Sequence, residues 1–181
     1  MITIVDYGLG NVQAIANIYK RVEIPVRLAQ TAAQLEGATH VILPGVGAFD
    51  WAMARLNASG MRAALDDLVQ RQRKPVLGIC VGMQMMARRS DEGQAEGLGW
   101  FDADVKLFDE TRFVDRTHLP HMGWNDVEPV SSDGLFHDLG SGARFYFLHS
   151  YYLDCSDATH VAATASYGID FACAVSSGAS A

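Results

Sequence analysis

The stretch Pro75-Val76-Leu77-Gly78-Ile79-Cys80-Val81-Gly82-Met83-Gln84 runs from an apolar strand through Gly-x-Cys-x-Gly into a helical pattern. A nucleophilic side chain at the apex of so sharp a strand-to-helix turn is a nucleophile elbow, with Cys where hydrolases of another kind carry Ser. The apex residue takes strained backbone angles there, and glycines two residues to either side keep Cβ atoms out of the crowded turn. The turn also puts sulfur at a helix N-terminus, whose partial positive charge favours the thiolate. A cysteine in an arbitrary Gly-rich turn is ordinarily a packing residue. Strand, paired glycines and helix together instead assign Cys80 as a reactive nucleophile. Cys155 and Cys173 have no such setting and read as packing residues.

Working outward, the first half of the chain alternates short apolar runs with helical patterns. Ile2–Val5, Val26–Leu28, His40–Leu43 and Val76–Ile79 are β-branched and closed by Gly, Pro or polar residues, as buried strands are. Val12–Val22, Phe49–Asn57 and Met61–Arg71 carry helical spacing. The alternation predicts an α/β fold with a mostly parallel central sheet flanked by helices. After about Gly97 the texture changes: Val105–Leu107, Trp124–Val127, Phe145–Leu148, Val161–Ala165 and Ala172–Val175 are strand-like with little helix between them. An antiparallel β extension is expected there, and Ser176–Ala181 is expected to fray.

With 181 residues and 49% hydrophobic content the chain reads as one domain, residues 1–181. Its net charge of −7 arises from 21 acidic against 14 basic residues with no Lys/Arg cluster, so nucleic acid and anionic membrane are poor partners. No signal-peptide pattern opens the chain and no apolar run reaches a membrane span, which predicts a cytoplasmic location. Three cysteines without Cys-x-x-Cys spacing argue against a disulfide framework and a zinc site.

Two further glycine loops flank the elbow in the predicted sheet. Leu43-Pro44-Gly45-Val46-Gly47-Ala48-Phe49 closes the third strand, where backbone N–H groups can point into the crevice that binds ligands in such sheets. With the N–H of Val81, this loop forms a candidate oxyanion hole for a tetrahedral intermediate on Cys80. Asp6-Tyr7-Gly8-Leu9-Gly10-Asn11-Val12 resembles a dinucleotide-binding turn, but Gln13 stands where the third glycine is required. A nicotinamide cofactor is therefore rejected, and no cofactor or metal is expected.

Five blocks carry a more specific resemblance: Asp6-Tyr7-Gly8-Leu9-Gly10-Asn11, Leu43–Phe49, Gly78-Ile79-Cys80-Val81-Gly82-Met83-Gln84, His121-Met122-Gly123-Trp124-Asn125 and Phe147-Leu148-His149-Ser150-Tyr151-Tyr152. In this order, over nearly the whole chain, they resemble the glutaminase subunits of imidazole glycerol phosphate synthase, within the class I glutamine amidotransferases. The resemblance implies the flavodoxin-like amidotransferase fold and hydrolysis of glutamine to glutamate and ammonia through a Cys80 thioester. It implies oxyanion donors from the backbone of Gly45, Val46 and Val81. Gln84 and Glu92 would hold glutamine, Glu92 meeting its ammonium group, and backbone at Ser150 and Tyr151 would line the same pocket. Asn11, Trp124 and Tyr146 would face a (β/α)₈ cyclase subunit in a heterodimer. That partner would use the ammonia to make imidazole glycerol phosphate and an aminoimidazole carboxamide ribonucleotide in histidine biosynthesis.

Each assignment has a structural alternative. Gln84 could be polar surface, Glu92 a solvated helix end, and Trp124 and Tyr146 core aromatics. The family's His-x-Glu pair is absent: no such pair follows Cys80, and the histidines are His40, His118, His121, His137, His149 and His160. A C-terminally incomplete domain is the first expectation, with an exposed sheet edge at Ala172–Val175 as its consequence. A catalytically silent binding subunit is the second. Recruitment of another histidine, of which only His149 has suitable neighbours, is the third. A paralogous amidotransferase serving surface-polysaccharide sugar modification is the rival of the same chemistry.

Overall fold

The computed structural model describes residues 1–113, 118–131, 134–139 and 142–177; of the terminal segment, the fraying expected for 178–181 lies outside these described residues. The chain divides into two compact units, Met1–Trp100 and Phe101–Ala181.

The first unit contains the four-stranded sheet. β1 (Ile2–Val5), β2 (Val26–Ala29), β3 (His40–Gly45) and β4 (Val76–Cys80) are hydrogen-bonded in the order β2-β1-β3-β4. All pairings are parallel, from Ile2 opposite Val26 and His40 to Gly45 opposite Cys80. Ile4, Val5, Ala29, Val41, Ile42 and Leu43 are buried, which is why these strands read as apolar runs rather than alternations. Against Ile4 and Ile42 packs α1 (Val12–Arg21), through Val12, Ile15, Ala16 and Tyr19 at helical spacing. Asn11 caps it by accepting from the Ala14 N–H, and Lys20 and Arg21 complement the dipole at its other end. In α2 (Phe49–Ala58) the buried residues Phe49, Ala52, Met53 and Leu56 repeat the pattern.

The expected helix Met61–Arg71 is interrupted. α3 covers only Arg62–Asp66 and gives way to a π-type turn over Asp67–Arg71, closed by the Gln72 N–H on the Asp67 carbonyl at 2.9 Å. The Asp67 carboxylate fixes this wider ring by binding the Arg71 and Gln72 side chains. Downstream of Cys80 the helix is likewise brief: α4 is the single turn Val81–Gln84, followed by the two-residue strand β5 (Arg89–Ser90).

The second unit is antiparallel, as expected. β6 (Ala103–Leu107), β7 (His121–Asp126), β8 (Glu128–Pro129), β9 (Arg144–His149), β10 (Tyr151–Cys155), β11 (Val161–Tyr167) and β12 (Ile169–Val175) form two sheets. One runs β6-β10-β12-β11-β8 and the other pairs β7 with β9. The expectation that Ala172–Val175 would be an exposed edge is corrected, because β12 lies between β10 and β11. The strand that completes this arrangement, β10, escapes the sequence pattern because Ser150 separates it from β9 by a single residue and Asp154 breaks its apolar run. Phe108, Ala165 and Phe171 centre its core, with Phe113, Phe147, Tyr152 and Cys173 packed around them.

Candidate active site

Cys80 is the last residue of β4 and the cap of α4, at φ 57° and ψ −123°. A positive φ in a residue bearing a Cβ is strained by roughly 1–3 kcal/mol and persists only where its surroundings impose it. The neighbouring glycines show what imposes it. A Cβ on Gly82 would overlap the Leu43 carbonyl oxygen, and one on Gly45 would overlap the Gly82 nitrogen. At Gly78 a Cβ would stand 2.6 Å from the Met83 Cα. The ends of β3 and β4 and the first turn of α4 thus approach backbone to backbone, and glycine is required at all three points.

As a residue Cys80 is exposed, and it is a free thiol. Crowding by the surrounding protein raises its pKa above the ordinary cysteine value, while the Val81 N–H works in the opposite direction. This reverses the thiolate-favouring setting read from the sequence. A four-residue helix has few aligned peptides to contribute, so desolvation is the larger effect.

The structure brings Gly45, Val46, Val81, Gln84 and Glu92 into the same unit as Cys80. Gly45 is paired with Cys80 itself, and Val46 follows it, exposed, at the tip of the loop. Gln84 is buried, which removes the polar-surface alternative. Glu92 is not at a helix end: one carboxylate oxygen accepts from the Phe49 N–H at 2.8 Å, at the start of α2. The α2 cap, Ala48, makes no side-chain bond to the helix, so Glu92 supplies the missing acceptor from 43 residues away. Asn11 is exposed, its side-chain oxygen committed to α1.

Two residues of this unit carry geometry that the sequence did not single out. Tyr7 is buried and donates to the Pro44 carbonyl at 2.8 Å, bracing the end of β3; burial pushes its phenol up to about 12. Asp50 accepts from the Gln94 and Ala95 N–H groups, both at 2.9 Å. Tyr7 is visible in sequence only as a member of a Gly-rich block, and Asp50 only as an acid in the first turn of a helix.

In the second unit Ser150 and Tyr151 are half-buried between β9 and β10. The Ser150 carbonyl accepts from the Phe108 N–H at 3.1 Å, and the Tyr151 carbonyl is 2.8 Å from His149 Nδ1. Nε2 of His149 is in turn 2.9 Å from Nδ1 of His121. His149 is therefore held on both ring nitrogens, and burial depresses its pKa. The histidine of the first unit, His40, opens β3 at the end opposite Gly45 and Cys80. Trp124 and Tyr146 face each other across the β7–β9 ladder, edge to face at 5.8 Å. Both are exposed, at 64% and 56%, so the core-aromatic alternative fails.

Among the described residues no group of three or more His, Cys, Asp or Glu side chains is placed to hold a metal ion.

Residues 3–177 match the protein family described as glutamine amidotransferase class-I. Over 175 residues the chain is 59% identical to imidazole glycerol phosphate synthase subunit HisH of Bdellovibrio bacteriovorus, covering 97% of this chain and 86% of that protein. It is 45% identical, with the same coverage, to the subunit of that name from Leptospira borgpetersenii. Among solved structures, a glutamine amidotransferase superposes with a TM-score of 0.68 at 16% identity, over 93% of this chain and 86% of that one. Another glutamine amidotransferase, from Thermotoga maritima, gives 0.56 at 18%, over 85% and 62%. At such identities these two carry the fold alone.

Proposed function

The chain belongs to the class-I glutamine amidotransferases, and from that premise we propose how its residues carry out the reaction. It is the glutamine amidotransferase subunit of an imidazole glycerol phosphate synthase, acting in histidine biosynthesis and partnered by a cyclase subunit. The paralogous role in polysaccharide modification is not favoured by relatives of this kind.

The observation that carries the catalytic reading is the positive φ of Cys80 among three glycines that admit no Cβ. Cys80 Sγ attacks the carboxamide carbon of glutamine, and the carbonyl π electrons move to oxygen. Backbone N–H groups of Gly45, Val46 and Val81 stabilise that oxyanion. Collapse of the intermediate breaks the C–N bond, and the nitrogen, taking the proton that the thiol gave up on attack, departs as ammonia from a glutamyl thioester on Cys80. Water then cleaves the thioester, releasing glutamate and restoring the thiol. Gln84 and Glu92 hold the substrate, Glu92 through its ammonium group, together with the backbone at Ser150 and Tyr151. We assign residues 1–181 to one amidotransferase domain in the cytoplasm; among the described residues no helix is long and apolar enough to cross a membrane.

On this reading the partner is a (β/α)₈ barrel that receives ammonia and is met by Asn11 of the first unit and by Trp124 and Tyr146 of the second. Met122 and Leu148 join the last two on the same exposed face of the β7–β9 ladder.

The test is mass spectrometry of the complex quenched during exposure to glutamine. A glutamyl adduct is expected on the Cys80 peptide and on neither other cysteine, and Cys80→Ala is expected to abolish it. An adduct elsewhere, or undiminished glutamate release by Cys80→Ala, overturns the assignment.

A further inference from the structure

The turn that carries Glu92 is fixed from one place. Asp50, in the first turn of α2, accepts the N–H groups of both Gln94 and Ala95 at 2.9 Å. These two bonds hold its carboxyl below the ordinary carboxylate value. The adjoining glycine is required by the same contact, because a Cβ on Gly93 would overlap the Asp50 carboxylate. In the opposite direction, the Glu92 carboxylate returns to the Phe49 N–H, the residue before Asp50, at 2.8 Å. The Glu92 N–H donates to Ser90 Oγ at 3.1 Å, closing the near side of the turn. The first turn of α2 and residues 90–95 therefore form a reciprocal clasp of three hydrogen bonds between two segments more than 40 residues apart, with a fourth bond inside the turn.

The clasp has a direction. α2 begins two residues after Gly47, in the loop that leaves β3 at Gly45, opposite Cys80. A carboxylate tied to the first N–H of this helix is tied to the oxyanion loop by a stretch of only a few residues. One Glu92 oxygen is used on Phe49, and the residue is otherwise exposed. Its remaining lone pairs are available to a cation while its position is set by the helix.

We infer that Asp50 is a positioning residue for glutamine: it sets the distance between the Glu92 carboxylate and Cys80 by clasping the turn of residues 92–95 onto the start of α2. This rests on the reading of Glu92 as the group that meets the ammonium of glutamine. Asp50 touches no substrate. Its contribution is that Glu92 need not be ordered at the moment of binding, which lowers the entropic cost of holding the ligand. Asn at position 50 retains the shape but loses an acceptor, turning an NH₂ group toward one of the two N–H donors.

The experiment measures protection of Cys80 in the full chain from iodoacetamide by L-glutamine, followed on the Cys80 peptide, which reports binding without requiring turnover. Asp50→Asn is expected to raise the half-protecting glutamine concentration about tenfold, with the alkylation rate in the absence of glutamine and the melting temperature near those of wild type. Glu92→Gln is expected to do at least as much, and the double variant to add little to it. Should Asp50→Asn fail to fold, Asp50→Glu carries the same expectation, since it keeps the charge at the start of α2 but displaces the oxygens by a methylene. Loss of protection in Glu92→Gln with wild-type protection in the Asp50 variant overturns the positioning role and leaves the Glu92 reading standing. Full protection in Glu92→Gln, or none in wild type, overturns both.

Discussion

At the scale of the residue, Cys80 combines two tendencies that pull its reactivity in opposite directions. Its strained backbone holds it at the end of β4 as an exposed residue, whereas crowding raises the thiol pKa and leaves less thiolate near neutral pH than a free cysteine would have. The other two thiols are worse placed: burial and the Asp154 and Asp157 charges raise Cys155, and burial raises Cys173 to about 11. Brief alkylation of the folded protein is therefore expected to label Cys80 first, with a rate that climbs as pH rises through a midpoint above that of free cysteine. Peptide mapping after timed exposure checks both; preferential labelling of Cys155 or Cys173 would contradict the assignment. The nucleophile was legible in the sequence because its spacing to Gly78 and Gly82 is a local property. Its protonation balance was not, since it depends on how many atoms of distant segments crowd the sulfur.

At the scale of the element, the β7–β9 ladder shows how register divides residues that the sequence merely lists together. His121 pairs with His149, Met122 with Leu148 and Trp124 with Tyr146. Successive residues of a strand face opposite sides, so the histidines turn one way and the four apolar side chains the other. The inner pair is stacked among aromatics: His121 lies over Phe147 at 4.8 Å and Tyr167 at 4.0 Å, and Asn125 reaches toward its second nitrogen at 3.3 Å. Burial, reinforced by His149, lowers the His121 pKa to about 4. An unfolded histidine titrates near 6.5. Between about pH 4 and 6.5 the unfolded chain thus binds a proton that the folded chain refuses, so stability present above this window is lost as pH falls through it. Acid unfolding followed by near-UV circular dichroism is expected to take up about one to two protons in that interval. His121→Gln is expected to start from lower stability but to show a shallower pH slope; an unchanged slope would exclude the pair as its origin. None of this was legible in sequence, where His121 and His149 stand 28 positions apart with no motif joining them.

At the scale of the whole molecule, the outer side of the same ladder bears on assembly. Met122, Trp124, Tyr146 and Leu148 are each more than half exposed, and the Arg144–Asp126 ion pair at 3.0 Å closes the free end of the ladder. Resemblance to the synthase subunits pointed to Trp124 and Tyr146, but only the register shows that Met122 and Leu148 complete one continuous apolar face. Four large apolar side chains in contact with water are costly to a monomer, and each stabilises a complex that covers it by about 1.5–3 kcal/mol if fully buried. Trp124 is the largest side chain in this face and has Tyr146 packed edge-on against it, the kind of residue whose truncation is most damaging where it lies in an interface. Trp124→Ala is accordingly expected to weaken association with the cyclase by about 2 kcal/mol or more, a loss of roughly thirtyfold in affinity. Exposed positions carry little fold stability, so its melting temperature is expected to stay near that of wild type. Titration calorimetry with the purified cyclase gives the affinity, and parallel assays with glutamine and with ammonium salts separate docking from the partner's own chemistry. Synthesis from ammonium salts is expected to be unaffected while synthesis from glutamine falls with the bound fraction. Wild-type affinity in Trp124→Ala, with glutamine-dependent synthesis intact, would place the cyclase on another surface.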